Sequence, residues 1–424
     1  MKILTINCWN HSIRYHLLSS GGQTVLAMGV VERVGLGSAF LIQKAPGKKR
    51  VFLDAEFIDH HGAVALAIAT MTDSRHGVIP DAGHISVVGH RVAHGGDQFR
   101  HSVKVDHHLL TAIRDLGHLA PMHCVPNIAG IEACMKLLPD VSQVAIFDTA
   151  FHLTLPECAY MYPLPYEWYE KYRVRRYGFH GPSHLYVSRR ASVLLEKPVQ
   201  DCNLITVHID RGVSLCAIRN GQSVDTSMGM TPLEGAVMET RCGDIDSGIQ
   251  SYMMRKMNLS VWELEQMLNQ KSGILGITGS CSSRQHLLEA ALDGDPRAGL
   301  ALDIDAYRIR KYIGAYLAVV GPLDGIVFTA GAGVREWYAR EKILNGLECL
   351  GIGLDLERNR TMPENSEYEI TGSGSLVRTF VIPTNEELVY AEDAAAVHAG
   401  IYVDHHRHDY AFAQHEFVPV QQLV

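Results

Sequence analysis

Two short strands joined by a charged turn, within residues 203–219, constrain the fold of this chain more than any other stretch. Residues 203–208 are apolar and β-branched, which predicts a buried strand. Residues 213–219 return as a second strand, and the Asn220-Gly221 pair that follows is the strongest two-residue hairpin signal in the chain. The stretch therefore predicts an antiparallel sheet that opens with a meander.

The turn between these strands, residues 210–212, has the features of a phosphate site. A tight turn exposes backbone N–H groups, and Gly212 lets a ligand approach closely. Arg241 follows after a Pro-Leu-Glu-Gly turn. Because phosphate is bound well by turn amides together with arginine, we expect an anion at this position.

The same pattern opens the chain. Residues 2–7 form an apolar run, residues 8–11 a polar turn, and residues 12–18 a returning run. A third apolar strand, within residues 325–333, ends in glycines. Two related halves, each offering a polar or glycine turn to one cleft, predict an actin-like, sugar-kinase-like phosphotransferase. The alternative is that two hairpins resemble each other by chance.

Length and composition limit the function classes. A chain of 424 residues predicts two domains. A formal charge of −8 disfavours nucleic acid as a partner, since that needs a basic face. No apolar run approaches the length of a membrane span, and no signal peptide is recognisable. Nine cysteines without a C-x-x-C motif predict reduced thiols in a cytoplasmic protein.

Polar residues follow several predicted strands. Arg91 comes after the strand at residues 85–89, in a loop with two histidines and two glycines. Asp148 comes directly after the strand at residues 144–147. Residues at the carboxyl ends of strands in α/β folds face a ligand crevice, which favours a functional role for both. The alternatives are a plain turn for Arg91 and a helix cap for Asp148.

Three further segments are rich in polar groups. Residues 175–184 concentrate arginines, histidines and glycines, which favours a functional role for His180 over a structural one. Residues 381–387 predict a strand that ends in carboxylates, a suitable place for Mg²⁺. Residues 404–409 contain three histidines, and we expect a solvated end there rather than a metal site.

Domain boundaries follow from topology because no low-complexity linker is present. We place one domain at residues 1–148 with 387–424 and the other domain at residues 149–386.

Eight motifs in order and spacing carry a family resemblance that spans nearly the whole chain. They are GHRVAHGG (89–96), FDTAFH (147–152), YPLPYEWYEKY (162–172), RRYGFHGPSH (175–184), VDTSMGMTPLEG (224–235), TRCGDID (240–246), RKYIGAYLAVVGPLDGIVFTAG (310–331) and IPTNEEL (382–388). The sequence resembles the acetokinase family of the actin-like superfamily. The resemblance implies a two-domain actin-like (ASKHA) α/β fold with a duplicated βββαβαβα core and mixed sheets.

The resemblance also implies an activity, namely reversible transfer of the ATP γ-phosphoryl group to acetate with Mg²⁺, giving acetyl phosphate. It implies that the first domain is the acyl and phosphate side and that the second is the nucleotide side. It also implies a homodimer formed through the second domain. Arg91 and Arg241 would clamp acetate and the transferring phosphoryl group, Asp148 would position the acid, and His180 would donate to the phosphoryl group. Asn7 and Glu386 would serve Mg²⁺ and phosphate. Such chemistry depends on positive charge held in line.

Two further sets of residues follow from the resemblance. The acetate methyl group would lie in an apolar pocket formed by Ala93, Met122, Phe179 and Pro232. The family usually has valine at the position of Ala93, so we expect propionate to be accepted better than in a typical member. Nucleotide and phosphate groups would be bound by Asn7, Arg14, His208, Asp210, Arg211, Gly212, Ser283, Arg284, Gly331 and Gly333.

Departures from the family pattern concentrate on the nucleotide side. Trp9 fills a position where the family has glycine, and Asp210 and Glu239 bring carboxylates close to the expected triphosphate. These carboxylates repel it unless Arg211, Arg284 or Arg335 compensates, and a positive φ at Asp210 would add strain. Two alternatives to ATP-dependent acetate phosphorylation stay open. One is the same acyl chemistry with a donor such as pyrophosphate, and the other is a non-catalytic binding protein.

Overall fold

The computed structural model describes residues 1–19, 24–117, 121–363 and 366–419, except the side chains of residues 121 and 122. The chain divides into two compact units. The first unit contains Met1–Leu153 and Asn385–Val424, and the second contains Thr154–Thr384. The domain roles assigned above, and the boundaries at 148 and 387, stay predictions.

The described part of the first unit contains an eight-stranded mixed sheet. Its strands are β1 (Lys2–Trp9), β2 (Ser12–Ser19), β3 (Val25–Glu32), β4 (Ala39–Lys44), β5 (Val51–Ala55), β6 (Val87–Val92), β7 (Val103–Lys104) and β8 (Ser142–Phe147). The spatial order is β5-β4-β3-β2-β1-β6-β8-β7. Strands β1 to β5 form the predicted antiparallel meander, and β6 and β8 extend the sheet in parallel with β1.

Helices of the first unit cover one face of this sheet. They are α1 (His60–Thr72), α2 (His107–Leu116) and α3 (Pro121–Leu137). Side chains alternate along β1, so Leu4 and Ile6 pack with the residues of α1 and α3 that surround Ala67 and Ala133. Helix α3 begins at Pro121 and contains Pro126.

In its described residues the second unit contains a six-stranded sheet that opens, like the first sheet, with antiparallel strands. Its strands are β9 (Leu204–Ile209), β10 (Val213–Arg219), β11 (Gln222–Thr226), β12 (Gly325–Thr329), β13 (Tyr368–Glu369) and β14 (Arg378–Val381). The order is β11-β10-β9-β12-β14-β13, with β9, β12 and β14 parallel. Asn220 and Gly221 have φ values of 52° and 71°, which confirms the predicted hairpin. Both sheets thus open with a meander whose first strand continues in parallel, which confirms the mixed, duplicated fold.

Helices α6 and α11 matter most for the site in the second unit. Strand β9 turns Ile205 and Val207 towards the core that includes Ile309 of α11, and turns Thr206 and His208 towards α6. The helices of this unit are α4 (Glu157–Tyr160), α5 (Tyr166–Tyr172), α6 (Gly181–Leu194), α7 (Gly248–Met257), α8 (Val261–Gln270), α9 (Gly273–Thr278), α10 (Arg284–Leu292), α11 (Pro296–Val320), α12 (Ala330–Arg335), α13 (Trp337–Leu344) and α14 (Leu356–Thr361).

The chain then returns to the first unit as α15 (Glu386–Ala399). This helix covers the second face of the first sheet, where Tyr390 and Ala394 pack with Ile3 and Val144. It begins at Glu386, directly after its N-cap residue Asn385. Glu386 therefore lies in the first turn of a helix, and the prediction that it ends a strand was wrong.

The histidine-rich segment after α15 is folded against the first unit. His405 is only 4% exposed, and its ring lies 6.0 Å from that of Phe151. Asp393 of α15 accepts hydrogen bonds from Tyr402, Tyr410 and Ser102. The expectation of a solvated end was wrong at His405, because these hydroxyl groups hold the segment in place.

Among the helices described here, none is both long enough and apolar enough to cross a membrane.

Candidate functional site

The carboxyl ends of β1, β6 and β8 bring together four predicted residues of the first unit. We call Asn7, Arg91, Asp148 and Glu386 the first-unit cluster. Arg91 Nε donates to Asp148 Oδ1 at 3.0 Å, and Nη2 donates to Oδ2 at 2.5 Å. Arg91 Nη1 donates to Asn7 Oδ1 at 3.1 Å. A planar guanidinium with three nitrogens fixed in this way holds its orientation before any ligand arrives.

Charges in the first-unit cluster are strongly coupled. Burial acts to lower the pKa of Arg91, but the Asp148 carboxylate and other nearby acidic groups raise it above its ordinary value. Burial raises the pKa of Glu386 to about 8, although the charge of Arg91 acts against this. Tyr390 donates to Glu386 Oε2 at 3.1 Å. Glu386 therefore lies where a further cation would be favourable.

Trp9 and Arg14, which both depart from the family pattern, lie beside this cluster. The Trp9 ring has the Arg14 guanidinium carbon 5.2 Å from its centroid and the Arg91 carbon at 5.7 Å. Arg14 is exposed and is the cross-strand partner of Asn7. The indole thus contacts two arginines through its π face, which favours keeping both guanidinium groups at this edge of the sheet.

The acyl-pocket residues of the first unit are only partly described. Ala93 is buried, and its backbone N–H donates to Asn127 Oδ1 at 2.9 Å. Asn127 also donates to the Cys8 carbonyl oxygen, so it ties the loop after β6 to the end of β1. The side chain of Met122 lies outside the described residues. The sequence alone did not predict a role for Asn127, because nothing in its local pattern indicates contacts with two distant segments.

A second group of predicted residues meets in the second unit around the turn after β9. We call His180, Gly212 and Arg241 the second-unit cluster. A Cβ added to Gly212 would lie 2.7 Å from Arg241 Nη2 and 3.1 Å from His180 Cε1. Two side chains therefore approach Gly212 closely, and the predicted approach of a ligand to this glycine stays a prediction. His180 has φ of 58° at the start of α6, an uncommon conformation for a residue that is not glycine.

Arg241 carries a buried charge. Its Nη1 donates to the Pro232 carbonyl oxygen at 2.8 Å, which also places the predicted acyl-pocket residue Pro232 at this cluster. Burial lowers the pKa of Arg241 to about 10, although the charge of Glu239 acts to raise it. No carboxylate in the described part of the chain lies within ion-pair distance of Arg241, which distinguishes it from Arg91. A buried guanidinium of this kind is poised to bind an anion.

Imidazole rings surround His180. The rings of His180 and His208 stack with centroids 4.1 Å apart, and His208 Nδ1 lies 2.8 Å from Ser183 Oγ. His180 Nδ1 lies 2.9 Å from Ser214 Oγ. Phe179, expected in the acyl pocket, is buried in the hydrophobic core of the second unit.

The turn at Asp210 differs from expectation in one respect. Asp210 is not among the described residues with positive φ, so the predicted backbone strain does not arise. A Cβ on Gly331 would lie 2.9 Å from Asp210 Oδ1 and 3.0 Å from Arg335 Nη2, so both charged groups flank this glycine. Gly333 approaches the backbone of Ile209, which joins the start of α12 to the end of β9.

Arg284 acts mainly within the protein. Its Nε and Nη2 donate to the two carboxylate oxygens of Asp305, and Nη1 donates to the Asp210 carbonyl oxygen. Burial raises the pKa of Glu239, while Arg284 and Arg211 act to lower it. The charge of Arg284 acts favourably on Glu239, but its ion pair is with Asp305, so the predicted pairing with Glu239 is not found. Ser283 caps α10, and its predicted nucleotide contact stays a prediction.

Oxygen donors suited to Mg²⁺ are present in the first-unit cluster. Within the described residues, no group of three or more His, Cys, Asp or Glu side chains is arranged to hold a metal ion. Mg²⁺ commonly needs only one or two carboxylates, with water and substrate phosphates completing its coordination. Glu386 and Asn7 fit that requirement. Burial raises the pKa of Glu386 to about 8, so a nearby cation would favour its ionised form.

Comparison with known proteins now decides the family. The family model described as the acetokinase family matches residues 2–392. The chain belongs to the acetokinase family. It is 55% identical over 419 residues to a protein named acetate kinase from Geobacter metallireducens, covering 99% of this chain and 100% of that one.

Solved structures of family members agree with the fold of this acetokinase. The crystal structure of Porphyromonas gingivalis acetate kinase has a TM-score of 0.88 at 40% identity, covering 93% of this chain and 99% of that one. A propionate kinase from Francisella tularensis has a TM-score of 0.87 at 35% identity, with the same coverage. These neighbours confirm the predicted actin-like α/β fold.

Proposed function

We propose that this protein transfers the γ-phosphoryl group of ATP reversibly to the carboxylate of acetate, giving acetyl phosphate and ADP. One carboxylate oxygen attacks phosphorus, and the bond from phosphorus to the β,γ-bridging oxygen breaks. The reaction moves a highly charged group between two anions, so it depends on fixed positive charge.

The second-unit cluster carries this proposal. Arg241 is a partly buried cation beside the turn at Gly212, and His180 also lies close to that glycine. A phosphoryl group needs donors of this kind on several sides. We assign phosphoryl binding to Arg241 and His180, and we assign contacts with the nucleotide to the segments at Gly331 and Gly333.

The first-unit cluster supports the remaining roles. Arg91 is held by Asp148 and Asn7 with its orientation fixed, which suits binding of a planar carboxylate or a phosphoryl oxygen. Asp148 keeps that guanidinium in place. When Mg²⁺ is bound, it would neutralise charge on the nucleotide phosphates, and Glu386 with Asn7 would hold it.

Acetate and propionate are both within the proposed substrate range. Ala93 is smaller than the usual valine, and a solved relative is titled a propionate kinase. One methylene group changes discrimination by only about 1–3 kcal/mol. We therefore expect the catalytic efficiency with propionate to lie within about a hundredfold of that with acetate.

The similarity to proteins named acetate kinase over the full chain supports ATP as the donor. It lends no support to pyrophosphate or to a non-catalytic role. We also propose a cytoplasmic location and a homodimer through the second unit. Its helices α7 and α8 expose Ile249, Tyr252, Val261 and Trp262 to solvent, which supports the dimer.

A panel of phosphoryl donors tests the proposed function. Purified protein, acetate and Mg²⁺ are mixed with ATP, GTP or pyrophosphate, and acetyl phosphate is trapped with hydroxylamine. We expect product with ATP and none with pyrophosphate. Product with pyrophosphate alone would overturn the choice of donor, and no product with any donor would overturn the catalytic role. The same assay is applied to Arg241→Ala, and Arg219→Ala, a change at an exposed position of β10, is its matched control.

A further inference from the structure

A line of hydrogen bonds runs inward from His180. Ser214 Oγ lies 2.9 Å from His180 Nδ1 and 2.8 Å from His184 Nε2. His184 Nδ1 in turn lies 2.7 Å from Thr206 Oγ1. Ser214, His184 and Thr206 are fully buried, so water does not compete for these groups. None of these three residues was expected to take part in the site.

Local structure explains why these groups meet. Strands β9 and β10 are antiparallel, and Ser214 is the cross-strand partner of His208. Side-chain alternation puts Thr206, His208 and Ser214 on the face of the sheet that α6 covers. His180 precedes α6 and His184 lies in its first turn, and the contacts of both imidazoles with Ser214 place their side chains together.

The hydroxyl group of Ser214 has one proton to share between two imidazoles. In the first arrangement, His180 Nδ1–H donates to Ser214, and the Ser214 hydroxyl group donates to His184 Nε2. A neutral His180 then has no proton on its own Nε2. In the second arrangement, every hydrogen bond of the line runs the other way. Thr206 donates to His184 Nδ1, His184 Nε2–H donates to Ser214, and Ser214 donates to His180 Nδ1. Neutral His180 then carries its proton on Nε2.

We propose, resting on the function above, that Ser214 and His184 are positioning residues that hold neutral His180 with its proton on Nε2. This nitrogen would lie 3.5 Å from a Cβ on Gly212, on the side where Arg241 Nη2 also approaches. A donor there would stabilise the charge on the phosphoryl group as it is transferred. Arg241 lies beside His180 at Gly212, His208 stacks on its ring, and His184 shares Ser214 with it. The charge of Arg241, and that of either histidine when protonated, disfavours a positive charge on His180.

Nitrogen-15 NMR of ring-labelled histidine tests this assignment directly. His180→Gln identifies the signals of His180 in the wild-type spectrum, recorded near neutral pH without ligands. We expect wild-type His180 to show a protonated Nε2 and an unprotonated Nδ1. In Ser214→Ala this preference is lost, and both tautomers are populated. A wild-type His180 protonated on Nδ1 alone would overturn the proposal, whether or not the protein phosphorylates acetate.

Kinetics give the second readout. We expect Ser214→Ala and His184→Ala to lower kcat roughly 10- to 100-fold, the range seen when a partner that orients a functional histidine is removed. The KM values for acetate and ATP should change less than about threefold, because ground-state binding does not need the Nε2 proton. The matched control is Ser188→Ala on α6, whose buried hydroxyl donates only to the Leu185 carbonyl oxygen.

The outcomes separate the two hypotheses. Wild-type kcat in Ser214→Ala would contradict the positioning role while leaving the proposed function intact. Absence of acyl phosphate formation in the wild type would contradict the proposed function, and the tautomer measurement would still decide the role of Ser214. Circular dichroism confirms that each variant is folded, and His184→Gln provides a second folded variant in which an amide can donate to Ser214.

Discussion

Arg91 and Arg241 both have largely but not fully buried guanidinium groups, and of the two only Arg91 has a carboxylate partner in the described part of the chain. A buried charge without a partner is destabilising, and removing it with an apolar residue of similar shape relieves that penalty. Removing one member of a buried pair leaves the other uncompensated. The two arginines should therefore behave oppositely in stability while both are needed for activity.

For Arg241→Met we expect kcat/KM to fall about 10³-fold or more, as for a well-placed arginine in phosphoryl transfer. The free energy of unfolding in urea should stay the same or increase, because a desolvated charge is lost. Retained activity would remove Arg241 from the site, and a large loss of stability would show that its charge is compensated within the protein.

For Arg91→Met we expect the same loss of activity together with a lower free energy of unfolding. The expected decrease is about 3–5 kcal/mol, because Asp148 stays buried without its partner. The double variant Arg91→Met/Asp148→Leu should recover part of that stability but no activity. A single variant as stable as the wild type would contradict the importance of this pair.

The size of residue 93 gives a third prediction at this scale. In Ala93→Val we expect kcat/KM for propionate to fall about tenfold relative to acetate, since the added methyl groups take up the space of one methylene. Competition between the two acids in the hydroxylamine assay measures the ratio. An unchanged ratio would place the acyl chain elsewhere.

At the scale of single elements, the sequence predicted strands better than helix starts. Apolar, β-branched runs marked β1, β8, β9 and β12 because burial on both faces leaves a continuous pattern. The start of α15 was missed although Asn385 caps it, its side chain accepting a hydrogen bond from the Leu388 N–H. An Asn followed by two glutamates is a usable helix-start signal, and the expectation of a metal-binding strand end obscured it.

Contacts within the site could be predicted only in part. Arg91, Asp148 and His180 were predicted because each lies near the end or the start of an element, next to glycines or other polar groups, and their roles stay predictions. The pairing of Ser214 with His184 could not be predicted, because it depends on how α6 lies across β9 and β10 and on which face each residue occupies. No local pattern marks a buried serine as the partner of two histidines.

Helix α15 and the segment after it predict an unusual pH dependence of stability. Burial raises the pKa of Glu392 to about 8, and its Oε2 accepts a hydrogen bond from the Ala411 N–H. The folded state thus binds a proton that the unfolded state releases near pH 4.3. Its contribution is present below that pH and is lost as pH rises towards 8.

We expect the unfolding free energy of Glu392→Gln to exceed that of the wild type by an amount that grows between pH 5 and pH 8. The gain should be at least about 1.4 kcal/mol, the equivalent of one pKa unit. Urea denaturation at several pH values measures it. Exposed Glu416→Gln, in the same segment, is the control and should show no such trend. A flat difference for Glu392→Gln would mean that this carboxylate is ionised in the folded protein.

At the scale of the whole molecule, the proposed dimer can be tested on the second unit. Tyr252 of α7 and Trp262 of α8 are 53% and 60% exposed, which is unusual for large aromatic side chains on adjacent helices. We expect Tyr252→Glu/Trp262→Glu to sediment as a monomer at micromolar concentration and the wild type as a dimer. Phe57→Glu, at an exposed position of the first unit, is the control. A monomeric wild type would contradict the dimer.

The interrupted first unit has a consequence for biosynthesis. Its sheet is translated early, but Tyr390 and Ala394, which cover one face of it, leave the ribosome more than 200 residues later. The second unit is continuous in the chain and can fold while it is being made. A nascent chain that stops before residue 385 therefore exposes an apolar sheet face, and we expect such fragments to recruit chaperones or aggregate.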